Sequence, residues 1–321
     1  MIYSKIIGTG SYLPSQVMTN QDLEKLVDTT DAWIVERTGI HARHVVAPED
    51  NAATMGAAAA RAAMEMANCT PESIDLIITA TATPNYFFPS TACEIQALLG
   101  ATCPAFDLQA ACSGFIYGLS VADQFIKSGQ ASTVLVIGSE VMSRLVNWED
   151  RTTCVLFGDG AGACILQKST EPGILGTAIN ADGREADLLC VENPQMKYHG
   201  ESQAEVCAVD MAGKKVFKIA VSKLEEIVLY TLEKHHISAS ELDWLVPHQA
   251  NARIIETTRE KLQMPPEKVI MTVATHGNTS SASIPLALDT AIRDGRIQKN
   301  HLILLEAFGA GLTWGSALVR L

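Results

Sequence analysis

The chain carries one pattern twice. TPESIDLIITAT (70–81) and SASELDWLVPHQ (238–249) both run from a helix end through an acidic turn and an Asp into a hydrophobic strand, with Asp75 and Asp243 168 positions apart (243 − 75). IKSGQASTVLVIGSE (126–140) and IRDGRIQKNHLILLEAFG (292–309) form a second matched pair, in which Gly129 and Gly295 are 166 positions apart (295 − 129). Two pairs at nearly one offset point to a duplicated unit, each copy about half the chain. The expected halves are 1–168 and 169–321.

The pattern inside each half is α/β. LIITATAT (76–83), STVLVIGSE (132–140), CVLFGDGAGACILQK (154–168), WLVPH (244–248) and LILLEAFG (302–309) read as strands or strand–turn segments. TMGAAAARAAMEMA (54–67), SGFIYGLSVADQFIKSG (113–129), VFKIAVSKLEEIVLYTLEKHH (216–236) and ARIIETTREKLQ (252–263) carry apolar residues at helical spacing. Such alternation predicts a layered α/β protein. A chain with 47% hydrophobic and 19% charged residues can fill that core.

Charge and cysteine usage narrow the function class. A net charge of -12 argues against wrapping nucleic acid or an anionic membrane with the whole surface, and leaves room for a local basic patch. MIYSKIIGTGSYLP shows no signal-peptide pattern and no apolar run has membrane-spanning length, so a cytoplasmic chain is expected. The eight cysteines are irregularly spaced and form no C-x-x-C pair. They read as reduced thiols, with neither a disulfide scaffold nor a metal site.

The repeat also places candidate chemistry. Cys112 plus the 166-residue offset is Asn278, so AACSG (110–114) and HGNTSSAS (276–283) take equivalent places in the two halves. Phe115, Leu119 and Ala122 have the spacing of a helix that begins near Cys112. A thiol at a helix N-terminus meets unpaired N–H groups that favour thiolate; a Cys packed between helices is the plainer reading. His248 ends the strand in WLVPHQAN, at the strand end where α/β sheets usually place chemistry. Cys, His and Asn together suit two reactions. In one, Cys holds an acyl group while His and Asn donate to a developing enolate. In the other, a cysteine hydrolase uses His as base and Asn as its orienter. Sequence separation leaves both open.

These residues and their surroundings resemble the β-ketoacyl-acyl carrier protein synthase III family of the thiolase-like superfamily. The resemblance runs from IIGTGSYLP (6–14) to FGAGLTWGSALVRL (308–321), through TDAWIVERTGI (30–40), AACSGF, HQANARI (248–254) and HGNTSSAS. Thiolases pair the His with a second Cys and elongating synthases use two histidines; Asn278 in HGN argues against both.

The resemblance implies a duplicated five-layered α-β-α-β-α fold and a ping-pong acyltransferase. Cys112 would take a short acyl group, acetyl foremost, from acyl-CoA. His248 and Asn278 would stabilise the enolate formed when malonyl-acyl carrier protein loses CO2. The product would be a β-ketoacyl-carrier protein, initiating type II fatty acid synthesis. A related condensing enzyme or acyltransferase of secondary metabolism is the alternative. The oxyanion hole would use backbone N–H groups of Cys112 and Ala310; many family members have three glycines here, and the Ala310 Cβ restricts the backbone. Trp33 and Arg151 would sandwich the CoA adenine, with Thr29, Arg37, Gly213 and Asn251 assisting. Arg253, with Lys218, Lys261 and Lys214, would dock the acidic carrier protein. Phe88 would enter the partner's acyl pocket in a homodimer. Acyl-CoA and malonyl-carrier protein are substrates, so no cofactor is implied.

Overall fold

The computed structural model describes residues 2–193 and 207–321. Its strands are β1 (Tyr3–Tyr12), β2 (Gln16–Thr19), β3 (Ala42–Val45), β4 (Leu76–Ala80), β5 (Ala105–Leu108), β6 (Thr133–Val141) and β7 (Asp159–Ser169), followed by β8 (Ile174–Ala181), β9 (Leu189–Cys190), β10 (Asp210–Met211), β11 (Trp244–Pro247), β12 (Leu302–Gly309) and β13 (Thr313–Arg320). Two sheets dominate, ordered β1-β7-β6-β4-β5 and β11-β12-β13-β8. The first pairs β4 with β6 in parallel and runs antiparallel through β7 to β1. The second repeats this with β11 parallel to β12, then antiparallel through β13 to β8.

The counterpart of β5 is reduced to a parallel bridge between Leu245 and Val269. The chain leaves the sheet there because its next N–H groups go elsewhere. Those of Thr272 and Val273 donate to the side-chain oxygen of Gln249.

The sheets stack into five layers. Helices Ala52–Ala67 and Thr91–Leu99 cover the outer face of the first sheet, while Gly114–Lys127 and Ser283–Arg293 lie between the sheets. Gly213–Lys234 covers the outer face of the second sheet, with Ala252–Lys261 packed on it. Gly114–Lys127 buries Phe115, Ile116, Leu119, Ala122 and Ile126 along one broad face, while Gln124 on the opposite side is exposed. Each of the larger ones contributes about 1.5–3 kcal/mol by leaving water. This helix follows Cys112 directly, so the candidate nucleophile sits on one of the best-buried elements.

Both central helices also bury an acid, and each acid is satisfied. Asp123 accepts from Ser4 Oγ (2.6 Å) and Lys127 Nζ (2.7 Å). Asp289 accepts from Thr9 and Ser11 hydroxyls and from Arg293. They stand 166 positions apart (289 − 123), the offset of the sequence repeat.

One expected strand starts late. Residues 154–156 form a turn, Phe157 makes an isolated parallel bridge with Asn278, and β7 begins only at Asp159. Their hydrogen bonds are drawn to another partner: Asn278 donates to Leu156 O (2.8 Å), and Gly158 donates to Asn278 O (3.1 Å).

Candidate active site

Three turns bring Cys112, His248 and Asn278 to one cavity of about 970 Å³. Cys112 lies in a tight turn, Ala111–Ser113, between β5 and the central helix, with Ala111 held at φ 44°. His248 follows β11 directly, its N–H donating to Glu306 O (2.8 Å). Asn278 follows Gly277, whose φ of 66° turns the chain after the short helix Val273–His276. All three residues are buried.

The orientation of Asn278 is settled by a backbone donor. Its Oδ1 accepts the N–H of Ser280 (2.8 Å), a residue held at φ 49°. A backbone N–H can only donate, so the partner is the amide oxygen, and the Nδ2 hydrogens remain for the cavity. His248 places Nδ1 2.6 Å from Ser283 Oγ. Burial holds its imidazole far down, at about 3, so the ring is neutral at physiological pH. His248 and Asn278 therefore bring neutral groups to the cavity.

Cys112 differs from the expectation of a favoured thiolate. Burial pushes its thiol up to about 11; the Ser280 hydroxyl opposes the rise and the Glu140 carboxylate adds to it. Desolvation works against the helix-terminus effect, and the resting thiol keeps its proton.

Glu140 was not singled out from the sequence. Fully buried at the end of β6, it accepts from Ala82 N (3.0 Å), Thr83 Oγ1 (2.7 Å), Ser280 Oγ (3.1 Å) and Ser281 Oγ (2.8 Å). It thus ties the Asn278 turn to the N-terminal half. Gln249 is a second such residue. It donates to Pro247 O and Ile270 O and accepts from Thr272 and Val273, so the His248 strand holds the segment leading into the Asn278 turn. Glu306, also buried, has no hydrogen-bond partner on either carboxylate oxygen among the described residues, and burial pushes it up to about 8.

The 309–311 turn closes the cavity beside Cys112. A Cβ on Gly309 would stand 2.7 Å from the Cys112 nitrogen. The left-handed φ in this turn (135°) belongs to Gly311; Ala310 is outside the positive-φ region, so its Cβ carries no left-handed strain. Thr313 Oγ1 lies 2.9 Å from Ala310 O and 3.0 Å from Ala110 O, stapling this turn to that of Cys112.

The remaining residues lie at or outside the mouth. Gly213, Asn251 and Phe88 line the cavity. Asn251 caps the helix Ala252–Lys261 and donates to Arg37 O (3.1 Å). Thr29 Oγ1 is buried with no hydrogen-bond partner among the described residues. Trp33 has the Arg37 guanidinium carbon 4.9 Å and that of Arg151 5.1 Å from its ring centroid. An intervening aromatic ring needs two van der Waals gaps, roughly 7–8 Å in all, so Arg151 must swing outward to admit one. Arg253 and Lys218 are exposed, with Arg253 5.7 Å from the centroid of the cavity-lining Phe217. Lys261, further along the helix, is paired with Glu225, and Lys214 is exposed. Tyr86, Phe87 and Phe88 expose 57%, 65% and 86% of their surface, an aromatic patch beside the cavity.

Among the described residues no group of three or more His, Cys, Asp or Glu is placed to hold a metal ion, and no helix is long and apolar enough to cross a membrane.

Comparison with known proteins agrees across the whole chain. The family models for the 3-oxoacyl-[acyl-carrier-protein] synthase III domain and its C-terminal domain match residues 106–183 and 232–321. The Methylococcus capsulatus protein named beta-ketoacyl-[acyl-carrier-protein] synthase III is 56% identical over 319 residues, covering 99% of each chain. The crystal structure of 3-oxoacyl-[acyl-carrier-protein] synthase III from Aquifex aeolicus superposes with a TM-score of 0.94 at 49% identity, covering 99% of this chain and 100% of that one. The priming beta-ketosynthase of the R1128 polyketide pathway superposes with a TM-score of 0.95 at 36% identity, covering 99% and 96%. With a thiolase-like layered fold and relatives matched from end to end, the chain belongs to the β-ketoacyl-acyl carrier protein synthase III family of condensing acyltransferases.

Proposed function

We propose that the chain catalyses the decarboxylative Claisen condensation of a short acyl-CoA, acetyl-CoA foremost, with malonyl-acyl carrier protein, starting type II fatty acid synthesis. One observation carries the reading: a thiol, a neutral imidazole and an amide whose N–H groups have no hydrogen-bond partner among the described residues line one cavity. Cys112 Sγ attacks the acyl-CoA carbonyl, CoA leaves as its thiol with the proton of Cys112, and the N–H groups of Cys112 and Ala310 stabilise the oxyanion. Malonyl-carrier protein then loses CO2. His248 and Asn278 donate to the enolate oxygen, the enolate carbon attacks the acyl-cysteine carbonyl, and the C–S bond breaks to release the β-ketoacyl-carrier protein and a Cys112 thiolate that takes up a proton from solvent.

The same geometry disfavours a cysteine hydrolase. There an Asn would orient the His, but here Asn278 Oδ1 is bound by Ser280 and His248 Nδ1 faces Ser283.

The outer residues fit the substrates. Trp33 and Arg151 take the adenine, with Thr29, Arg37, Gly213 and Asn251 along the rest of CoA; the unpartnered Thr29 hydroxyl supports this. Arg253 and Lys218, with Lys214 and Lys261 behind them, attract the acidic carrier protein; the Lys261–Glu225 pair leaves Lys261 the lesser share. The exposed Phe88 enters the partner's acyl pocket in a cytoplasmic homodimer. The halves 1–168 and 169–321 act as paired domains, and no cofactor takes part.

Incubation with radiolabelled acetyl-CoA and malonyl-carrier protein tests the reading. Labelled β-ketoacyl product that is lost in Cys112→Ser supports it; no product from acetyl or any short branched starter sinks it. Likeness to a priming polyketide synthase favours a second reading, a starter for secondary metabolism. A panel of longer acyl-CoAs separates the two.

A further inference from the structure

We infer that Ser283 sets the tautomer of His248, giving its hydroxyl hydrogen to Nδ1 so that the ring hydrogen stays on Nε2. Ser283 opens the central helix Ser283–Arg293 and is only 2% exposed. Its Oγ lies 2.6 Å from His248 Nδ1 and accepts the backbone N–H of Gln249 (3.3 Å). The hydroxyl has one hydrogen to place. Were Nδ1 the donor, that hydrogen would need another acceptor, and among the described residues Ser283 Oγ has none. The nearby Gln249 oxygen is already taken by Thr272 and Val273. An unplaced buried hydroxyl hydrogen is costly, whereas Nδ1 accepting it satisfies both groups.

The consequence rests on the condensation reading above. With the hydrogen on Nε2, His248 and Asn278 both present N–H donors. In the other tautomer a nitrogen lone pair would face the enolate oxygen and repel it. Ser283 touches no substrate in this scheme; it is a positioning residue. Its loss is felt in decarboxylation, while acyl loading on Cys112 proceeds.

The test uses the full chain labelled with 15N-histidine. Two-bond 1H–15N correlations distinguish the tautomers, and His248→Ala assigns the signals. Wild-type protein is expected to show His248 in the Nε2–H form. Ser283→Ala is expected to lose that single form, to lower malonyl-carrier decarboxylation at least tenfold, and to leave acyl-cysteine formation within twofold by intact mass. Ser283→Thr restores the hydroxyl and is expected to recover both readouts. A pure Nε2–H signal in Ser283→Ala, or equal loss in both half-reactions without recovery in Ser283→Thr, overturns the assignment. Should Ser283→Ala not fold, Ser283→Cys, with a weaker donor of similar shape, is read by the same criteria. The tautomer is observed without substrate, so a wild-type protein that does not decarboxylate malonyl-carrier protein counts against the condensation reading alone.

Discussion

Gly309 lies on the backbone of Cys112: a Cβ built there would stand 2.7 Å from the Cys112 nitrogen and 3.0 Å from its Cβ. Both distances are to an element that the buried central helix holds in place. Gly309→Ala is therefore expected to push the two turns apart, destabilising the fold by about 1–3 kcal/mol and slowing acyl loading by roughly 10²-fold. Ala310→Gly is expected to leave loading within a few-fold, because Ala310 is outside the positive-φ region. Intact-mass measurement of the acyl-enzyme with time checks the pair. Equal loading by Gly309→Ala and wild type would show that the turn yields.

Asn278 separates the two half-reactions. Its amide oxygen is held by Ser280, so its hydrogens serve the cavity, whereas the proposed oxyanion hole beside Cys112 uses backbone N–H groups. Asn278→Ala should lower malonyl-carrier decarboxylation by roughly 10²–10³-fold, the scale of a lost oxyanion donor, with acyl loading reduced only a few-fold. CO2 release measured beside acyl-enzyme formation decides it; an equal loss in both contradicts the division.

Glu140 tests how the halves are joined. Its carboxylate gathers donors from the 81–83 loop and from Ser280 and Ser281. Glu140→Ala leaves those buried donors unmatched, and each unsatisfied group costs about 1–3 kcal/mol. A drop in urea stability of several kcal/mol is expected, together with slowing of both half-reactions. A stability change below about 1 kcal/mol would show that these donors find other partners.

The repeat and the Cys112–Asn278 match were legible because strands and helices write their periodicity into sequence and a duplication writes it twice. The supporting polar groups were not. Glu140 ends a hydrophobic strand, and Ser283 is one small residue in HGNTSSAS; what distinguishes them is burial beside the site, which depends on packing between the halves. A deviation from the expected strand at 154–158 has the same origin, since Leu156 and Gly158 bond to Asn278 rather than to a neighbouring strand. The thiol of Cys112 was misjudged because helix-end polarity is visible in sequence and desolvation is not.

In the proposed reading Trp33 and Arg151 bear on CoA binding alone. They sit outside the cavity that holds Cys112 and touch each other through the indole face. Trp33→Ala is expected to raise KM for acetyl-CoA about 5–30-fold, the loss of a stacking partner worth roughly 1–2 kcal/mol. Loading from a short thioester that lacks the nucleotide should be unchanged. Steady-state kinetics with both donors checks this; equal loss with the short thioester would assign Trp33 to folding.

Glu306 gives the stability of the fold a pH dependence. Its carboxyl is pushed up to about 8 by burial, against an ordinary value of 4.5. Between these values the folded chain holds a proton that the unfolded chain has released. Stability is then fully present below pH 4.5 and falls as pH rises through 8, by an amount on the order of a few kcal/mol. His248 acts oppositely: it is neutral when folded, and its contribution weakens as pH falls from 6.5 toward 3. Glu306→Gln removes the first effect and leaves the second. Urea melts of both proteins at pH 5 and pH 8.5 should show near-equal stability at the lower pH and a more stable variant at the higher one. Parallel slopes for the two proteins would mean that Glu306 is ionised in the fold and that its charge is met by a group other than a direct hydrogen-bond partner.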